Sequence, residues 1–442
     1  VVLILVVALV LGVAASDMIK KTLLLLCFCI YSVNIYADIS SIPRMLRGHV
    51  EKKQEEISKA QLKVTIDKFA SGYQKSHQVN FAFLVSKNGE IISEDKSIFA
   101  SKKAYKNPIK QLEFANETLL DFDSPIPIAS ATKLFTAAAI LKLQEDGKLN
   151  IHDPISKYLE KYGKMPKWAG EVTLHHLLSQ SSGIEEYQTQ LYLDLNKSEE
   201  EIKKRLIEFI DKKGLKQKPG EKFDYSNTNY ALLGIIIEEV SGKNLSEFFV
   251  ENIFKPLGMK HTYFASLQEA RDYEAGKLKT KYPKRYFVSP GNEPTNFLPI
   301  KINRMLPPLG DGGIISTMHD LSIWVNALHG SKVISSESLK IMRTPYFESS
   351  YRKYKLKAKY GYAMHIQELN GETIYSHGCD AVGLRGEYSY LKSRKMAIIS
   401  FSNFTLAIPK NLEYNEEEIH NMYKIDLRHF HGDLLKKILE TK

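Results

Sequence analysis

The chain has 442 residues, 43% of them hydrophobic and 25% charged, enough for two or three packed cores and too apolar for a disordered chain. Lys+Arg 61 against Asp+Glu 51 leaves a formal charge of +10, spread along the sequence rather than clustered, so a nucleic-acid partner is not implied. Three cysteines are too few for a disulfide framework.

The chain opens with apolar residues, Val1 to Ala15. Met18-Ile19-Lys20-Lys21 then leads a second apolar run, Thr22 to Val33, closed by Asn34-Ile35-Tyr36-Ala37. A basic start, a short apolar stretch and a small residue are the parts of a secretory signal peptide. Residues 1–37 are therefore expected to be a leader, cleaved after Ala37, which puts the mature protein in the periplasm or outside the cell. Each run falls short of the ~20 residues of a spanning helix, so membrane attachment is expected only through an uncleaved leader. Cys27 and Cys29 follow Leu26 and Phe28, not the small residue a lipid-attachment site needs, and Cys379 is the one cysteine beyond the leader.

Apolar residues at helical spacing predict a helix over Lys52 to Ala70. Val79 to Val85 reads as a strand, Lys87-Asn88-Gly89 as a turn, and Glu90-Ile91-Ile92 as the start of a return strand. From about 125 to 350, helical patterns and long connections dominate. Tyr362 to Leu369 and Glu372 to Ser376 flank Asn370-Gly371, a hairpin signal. Arg385 to Leu391 and Lys395 to Phe401 flank a second turn, and Asn415 to Leu439 predicts a closing helix. Strands and a helix at both ends around a helical block imply an α+β protein. Residues 50–120 and 355–442 are expected to form one sandwich domain, with 121–354 inserted as a mainly helical domain. The cleft between them is the natural place for a site.

Three groups of residues could carry chemistry there. Ser130-Ala131-Thr132-Lys133 is one of three Ser-x-x-Lys spacings, beside Ser93 with Lys96 and Ser389 with Lys392. Ser389 sits in a predicted strand, where residues three apart face opposite sides, and Ser93 in a polar return strand. Only Ser130 opens a long apolar helix, Leu134 to Leu143, so Ser130 and Lys133 share one face beside the electropositive helix start. An amine packed among Leu134, Phe135 and Ala137 would be driven toward its neutral form, able to take the serine proton. On spacing alone, an N-cap serine with a snorkelling lysine explains the pattern better. Tyr225-Ser226-Asn227 lies between the turn Pro219-Gly220 and an apolar helix, Ala231 to Val240. It can present a phenol for acid–base work and an amide to a carbonyl, although Tyr105-Lys106-Asn107 has the same form. Ser376-His377-Gly378-Cys379-Asp380 leaves a predicted strand, whose edge offers N–H groups to an oxyanion.

Taken in order, these segments resemble the serine β-lactamase and penicillin-binding protein superfamily, most nearly its class C β-lactamase-like branch. The resemblance also runs through Glu145 to Pro154, Val172 to Ile184, Gly310 to Thr317 with Asp320, and Ser402-Asn403, and spans about 60 to 405. It implies the DD-peptidase/β-lactamase-like fold, an antiparallel sheet flanked by helices in a three-layer αβα sandwich with an inserted all-α domain. It also implies a serine hydrolase working through an acyl-enzyme with no cofactor, on a small-molecule or peptide substrate such as a cell-wall peptide. Ser130 would be the nucleophile, and Lys133 and Tyr225 would share the proton transfers. Asn227 and His377 would bind substrate, and the backbone N–H groups of Ser130 and Asp380 would form the oxyanion hole. D-amino-acid peptidase, carboxypeptidase or esterase activity is expected ahead of true β-lactamase activity, and a non-catalytic binding protein on the same fold is the rival outside enzymes.

The third motif departs from the Lys-Thr-Gly or Lys-Ser-Gly of the classical enzymes, reading His377-Gly378-Cys379. A side chain at 379 is expected to narrow the cleft, which counts more against efficient β-lactam hydrolysis than against acyl transfer. His175-His176 lacks a partner ligand set, so no metal is expected. His429-Phe430-His431 reads as a solvated tail, and the basic aromatic run Tyr351 to Tyr360 as a surface loop.

Overall fold

The computed structural model describes residues 44–77, 81–97, 120–191, 193–275, 277–278, 282–283, 285–288, 297–299, 307–353, 356–381, 383–406 and 427–441. The leader read over residues 1–37, with its cleavage point at Ala37, lies outside them. Residues 1–60 and 61–442 are separate compact units. The first contributes the opening turns of helix α1 (Arg44–His77). Everything below concerns the second.

In the later turns of α1, Leu62, Ile66, Ala70 and Tyr73 recur at intervals of three and four and are buried. Strands β1 (Phe81–Lys87) and β2 (Glu90–Ser97) follow as a hairpin. Its turn residues Asn88 and Gly89 both have positive φ, at 54° and 84°, the conformation that a two-residue hairpin turn demands.

The middle of the chain is not all helical. Short strands β3 (Ile126–Pro127), β4 (Tyr263–Phe264) and β5 (Ile314–Ser316) form a small sheet with β5 in the centre. Around it lie α2 (Thr132–Glu145), α3 (Asn227–Ser241) and α4 (Met318–His329). Helix α2 is apolar on nearly every side because it is enclosed on nearly every side: all residues from Thr132 to Leu141 are buried. Phe135 stacks on Trp324 of α4, with ring centroids 3.7 Å apart. Helix α3 approaches the Gly310 loop so closely that a Cβ on Gly234 would lie 2.9 Å from Gly310 Cα. Only two glycines permit that contact.

The chain then returns to strands: β6 (Phe347–Lys353), β7 (Leu356–Tyr360), β8 (His365–Leu369), β9 (Glu372–Gly378), β10 (Arg385–Leu391) and β11 (Met396–Ser402). With the first hairpin they make an antiparallel sheet of eight strands among the described residues, in the order β2-β1-β11-β10-β9-β8-β7-β6. Helix α5 (Leu427–Glu440) closes the described chain. Along β11 the side chains alternate between two cores. Ala397, Ile399 and Phe401 join the core shared with the middle segment, whereas Met396 and Ile398 join α1 and α5. The sheet is thus the middle layer of three, and the fold is the expected α+β one.

Two surface expectations are corrected. Of the basic run Tyr351 to Tyr360, the described residues 351–353 and 356–360 are not a loop but belong to the edge hairpin of β6 and β7. Ala358 and Tyr360 are buried while Lys357 and Lys359 are exposed, the alternation of a strand. His429-Phe430-His431 is not a solvated tail either, because Phe430 and His431 are buried in α5. Burying an apolar side chain such as Phe430, Leu434, Leu435 or Ile438 is worth about 1.5–3 kcal/mol. That stripe docks the helix, and His431 enters the interior with it. There its two ring nitrogens each lie 2.9 Å from a hydroxyl, Ser389 Oγ and Ser400 Oγ.

Candidate active site

Ser130 stands in a single 3-10 turn, Ala129–Ala131, that runs straight into α2. Ala129 has φ 46°, a left-handed conformation that costs a non-glycine residue about 1 kcal/mol or more. The turn is held on both sides. Ile128 N–H donates to Ile314 O at 3.1 Å. Thr132 Oγ1 accepts from Ile314 N at 3.2 Å, and Thr136 Oγ1 donates to Gly310 O at 2.7 Å. The start of α2 is therefore stapled to the Gly310–Ile314 segment.

One helical turn after Ser130, Lys133 is wholly buried. Its Nζ donates to Ser130 Oγ at 3.1 Å, Asn227 Oδ1 at 2.7 Å and Asp311 O at 2.9 Å. Three acceptors match the three donors of a lysine head group. The same Nζ lies 5.3 Å from the centre of the Tyr225 ring. Tyr225 Oη donates to Ser130 Oγ at 3.2 Å. Ser130, Lys133, Tyr225 and Asn227, separated by up to 97 residues in sequence, thus come together.

The Tyr225 loop owes its position to residues whose role the sequence reading did not assign. Gln180, with φ 58°, accepts at Oε1 from Ser226 N at 3.0 Å and Asn229 Nδ2 at 2.6 Å. Its carbonyl accepts from Asp224 N at 2.8 Å. Glu186 Oε2 accepts from Asn227 N at 2.6 Å. Because Lys133 occupies Asn227 Oδ1, the amide NH2 of Asn227 is left as the group able to donate elsewhere. Asp311 contributes its carbonyl to Lys133 and buries its carboxyl, which accepts from Tyr187 Oη at 3.1 Å and Gln188 Nε2 at 2.8 Å. Burial pushes that carboxyl above the usual carboxylate range, and the Lys133 charge opposes the shift. Gln180 and Asp311 fall within the segments that carry the family resemblance, Val172 to Ile184 and Gly310 to Thr317, whereas Glu186 lies outside them.

His377 lies at the end of β9, the strand beside the Ser130 turn. Its ring centre is 6.3 Å from that of Tyr225. Nδ1 sits 2.7 Å from Gly378 O, and a carbonyl can only accept, so Nδ1 carries the proton. In the neutral ring this makes Nε2 an acceptor. Asp380 follows on the same strand end, with its carboxylate paired to Arg428 and, at 3.7 Å, to Arg385. Cys379 does not narrow the cleft, contrary to expectation. Its side chain is fully buried in the main core, opposite Gly386, where a Cβ would lie 2.8 Å from Cys379 Cβ. The glycine on β10 leaves the room that the thiol takes.

The other Ser-x-x-Lys serines lie elsewhere. Ser93 donates to Asp67 at 2.6 Å, and Ser389 meets His431. His175 faces Tyr362 Oη at 2.5 Å, and His176 caps its own helix start through Thr173.

The Beta-lactamase family model matches residues 66–416, about four-fifths of the chain. The chain belongs to the Beta-lactamase family. Among relatives of this Beta-lactamase family member, PbpX of Bacillus subtilis (strain 168), named as a penicillin-binding protein, is 30% identical over 359 residues, 81% of this chain and 79% of that protein. A penicillin-binding protein homologue from Pyrococcus abyssi, solved as an octamer, superposes with a TM-score of 0.60 at 26% identity, covering 77% of this chain and 73% of that one. The D-amino acid amidase from Ochrobactrum anthropi SV3 shares the fold, with a TM-score of 0.63 at 20% identity over 86% of this chain and 98% of that one. The family is one of serine hydrolases on the penicillin-binding-protein fold.

Proposed function

We propose that this protein cleaves amide or ester bonds through an acyl-enzyme on Ser130, as a D-amino-acid peptidase, carboxypeptidase or esterase. The observation that carries this reading is Ser130 Oγ within hydrogen-bond reach of both Lys133 Nζ, at 3.1 Å, and Tyr225 Oη, at 3.2 Å. A serine hydroxyl is a weak nucleophile until a neighbour takes its proton. Lys133 and Tyr225, both donating to Ser130 Oγ, are the groups that can do so once one of them has given up a proton to solvent, and the one that then accepts the serine proton can return it to the leaving group.

In this reading Ser130 Oγ bonds to the substrate carbonyl carbon, and its proton moves to the Lys133–Tyr225 pair. The carbonyl oxygen becomes an oxyanion facing the N–H groups of Ser130 and Asp380. As the bond to the amine or alkoxide breaks, the pair hands the proton to that leaving group. Water then attacks the ester and frees Ser130. The Asn227 NH2, aimed by Lys133, holds the substrate amide or ester. His377 stands where the classical enzymes carry a lysine that helps hold a substrate carboxylate. The names of the relatives, penicillin-binding protein and D-amino acid amidase, support the same substrate class. Leader-like residues 1–37 put this chemistry outside the cytoplasm, on cell-wall peptides or other small substrates; N-terminal sequencing of the exported chain tests that part.

The deciding experiment treats the full chain and Ser130→Ala with a fluorescent penicillin, a D-amino-acid amide and a p-nitrophenyl ester. Turnover of amide or ester that vanishes in Ser130→Ala supports the proposal, with or without long-lived penicillin labelling. Rapid clearance of the penicillin would assign a β-lactamase instead. Neither labelling nor turnover would favour a binding protein.

A further inference from the structure

We infer that Arg428, in the first turn of the C-terminal helix, is a positioning residue for the oxyanion site. The inference rests on the acyl-enzyme reading above and adds to it a link between α5 and the reacting oxygen. It starts from the ladder between β9 and β10. His377 pairs with Tyr388 and Gly378 with Glu387. One residue past β9, Cys379 N–H donates to Gly386 O at 2.8 Å. Ala381 N donates to Leu384 O at 3.0 Å, and Leu384 N donates back at 2.9 Å. Residues 379 and 381 thus send their N–H groups toward β10. In an extended strand the N–H between them points the other way. On that other side the ladder between β8 and β9 ends at Ser376 among the described residues, and β9 runs beside the Ser130 turn. The Asp380 N–H is aimed at that side.

The side chain of Asp380 sets this aim. Cys379 is anchored in the core on one face of the strand, and Asp380, next along, projects to the opposite face. There the Arg428 guanidinium donates to Asp380 Oδ2, and Arg385 Nε lies 3.7 Å from Oδ1. Arg428 is itself fixed, because α5 is held by Phe430, Leu434, Leu435 and Ile438 and by the contacts of His431 with Ser389 and Ser400. The chain of restraint runs from the helix, through Arg428, to the carboxylate and backbone of residue 380. The Asp380 side chain is 40% and the Arg428 side chain 30% exposed. A pair that wet contributes about 1 kcal/mol or less to folding, so its effect falls on geometry rather than stability.

The test compares Arg428→Ala, Arg428→Lys, Asp380→Asn and Ser130→Ala in the full chain, with p-nitrophenyl ester turnover and inhibition by a phenylboronic acid, whose tetrahedral adduct carries an oxyanion-like oxygen. Loosening an oxyanion donor without removing it should cost Arg428→Ala about tenfold in kcat, with KM within about twofold, short of the ~100-fold or more of a deleted donor. Boronate affinity should fall by the same factor as kcat. Arg428→Lys should recover most of both, and Asp380→Asn should resemble Arg428→Ala. Wild-type kcat and boronate affinity in Arg428→Ala and Asp380→Asn, with Ser130→Ala inactive, would overturn the inference. So would a loss that tracks melting temperature and is no smaller in Arg428→Lys. Turnover persisting in Ser130→Ala would instead remove the acyl-enzyme reading beneath it.

Discussion

Replacing Lys133 by Met gives the sharpest test of the site. Methionine keeps much of the volume of a fully buried side chain and deletes only its donors. The buried acceptor Asp311 O, at 2.9 Å, loses its partner, at a cost of about 1–3 kcal/mol, and the half-buried Asn227 Oδ1, at 2.7 Å, loses one that it can replace by turning. Removing a cation from the interior offsets part of that, because burying a charged head group is itself unfavourable. The melting temperature should therefore fall modestly. Turnover should fall much further, by about 100- to 10,000-fold, the usual contribution of a positioned acid–base group. A second effect follows from the amide. With Oδ1 released, Asn227 is free to turn its oxygen toward the substrate, so KM for amide substrates should rise as well. Stopped-flow acylation by a p-nitrophenyl ester, read against Ser130→Ala as the zero, measures the first effect, and steady-state amide kinetics the second. Acylation of folded Lys133→Met within about tenfold of wild type would refute the assignment of proton transfer to this residue.

Three further outcomes can be checked in folding experiments. Gly386→Ala places a methyl group into the Phe401 ring and 2.8 Å from Cys379 Cβ; overpacking of this kind costs about 1–3 kcal/mol, read as a lower urea midpoint, and Cys379→Gly in the same chain should recover part of it. Burial holds the His175 imidazole down at about 4, from 6.5, with His176 and His152 adding to the shift. A depressed histidine contributes stability that is complete above pH 6.5 and lost as pH falls toward 4, so His175→Gln should flatten that acid limb, and an unchanged slope would count against the assignment. Asp311 shifts the opposite way: burial raises its carboxyl, so its contribution is complete in acid and lost as pH rises through the folded value. Asp311→Asn should accordingly gain on wild type in melting temperature between acid and neutral pH, and a constant difference would contradict it.

How far the sequence could be read depended on whether each signal was local. Ser130 and Lys133 lie three apart on an apolar run, and a helix brings such residues to one side, so their meeting needs no tertiary knowledge. Asn88-Gly89 and Asn370-Gly371 are turn residues with positive φ and locate their hairpins directly. The framework behind the catalytic candidates is different. Gln180, Glu186 and Asp311 act through contacts with residues 41 to 178 positions away, so even where the resemblance marks their segments, spacing and periodicity do not tell their partners. The basic run before Tyr360 misled because its charges hid a period of two, Leu356, Ala358 and Tyr360 against Lys357 and Lys359. His429-Phe430-His431 misled because polar neighbours concealed the stripe Leu427, Phe430, Leu434, Leu435 and Ile438. Reading Cys379 as an obstruction assumed which way its side chain pointed, a matter settled by the glycine across the ladder.

That buried thiol also offers a built-in clock. Cys379 adjoins Asp380, and no reagent in solvent reaches its sulfur while the strand end stays seated. Alkylation must wait for local opening of this segment, and under conditions where reclosing outruns the reagent its rate reports the opening equilibrium. Following that rate by mass spectrometry, with candidate substrate present and absent, would show how firmly a ligand clamps this strand end without attaching any foreign probe.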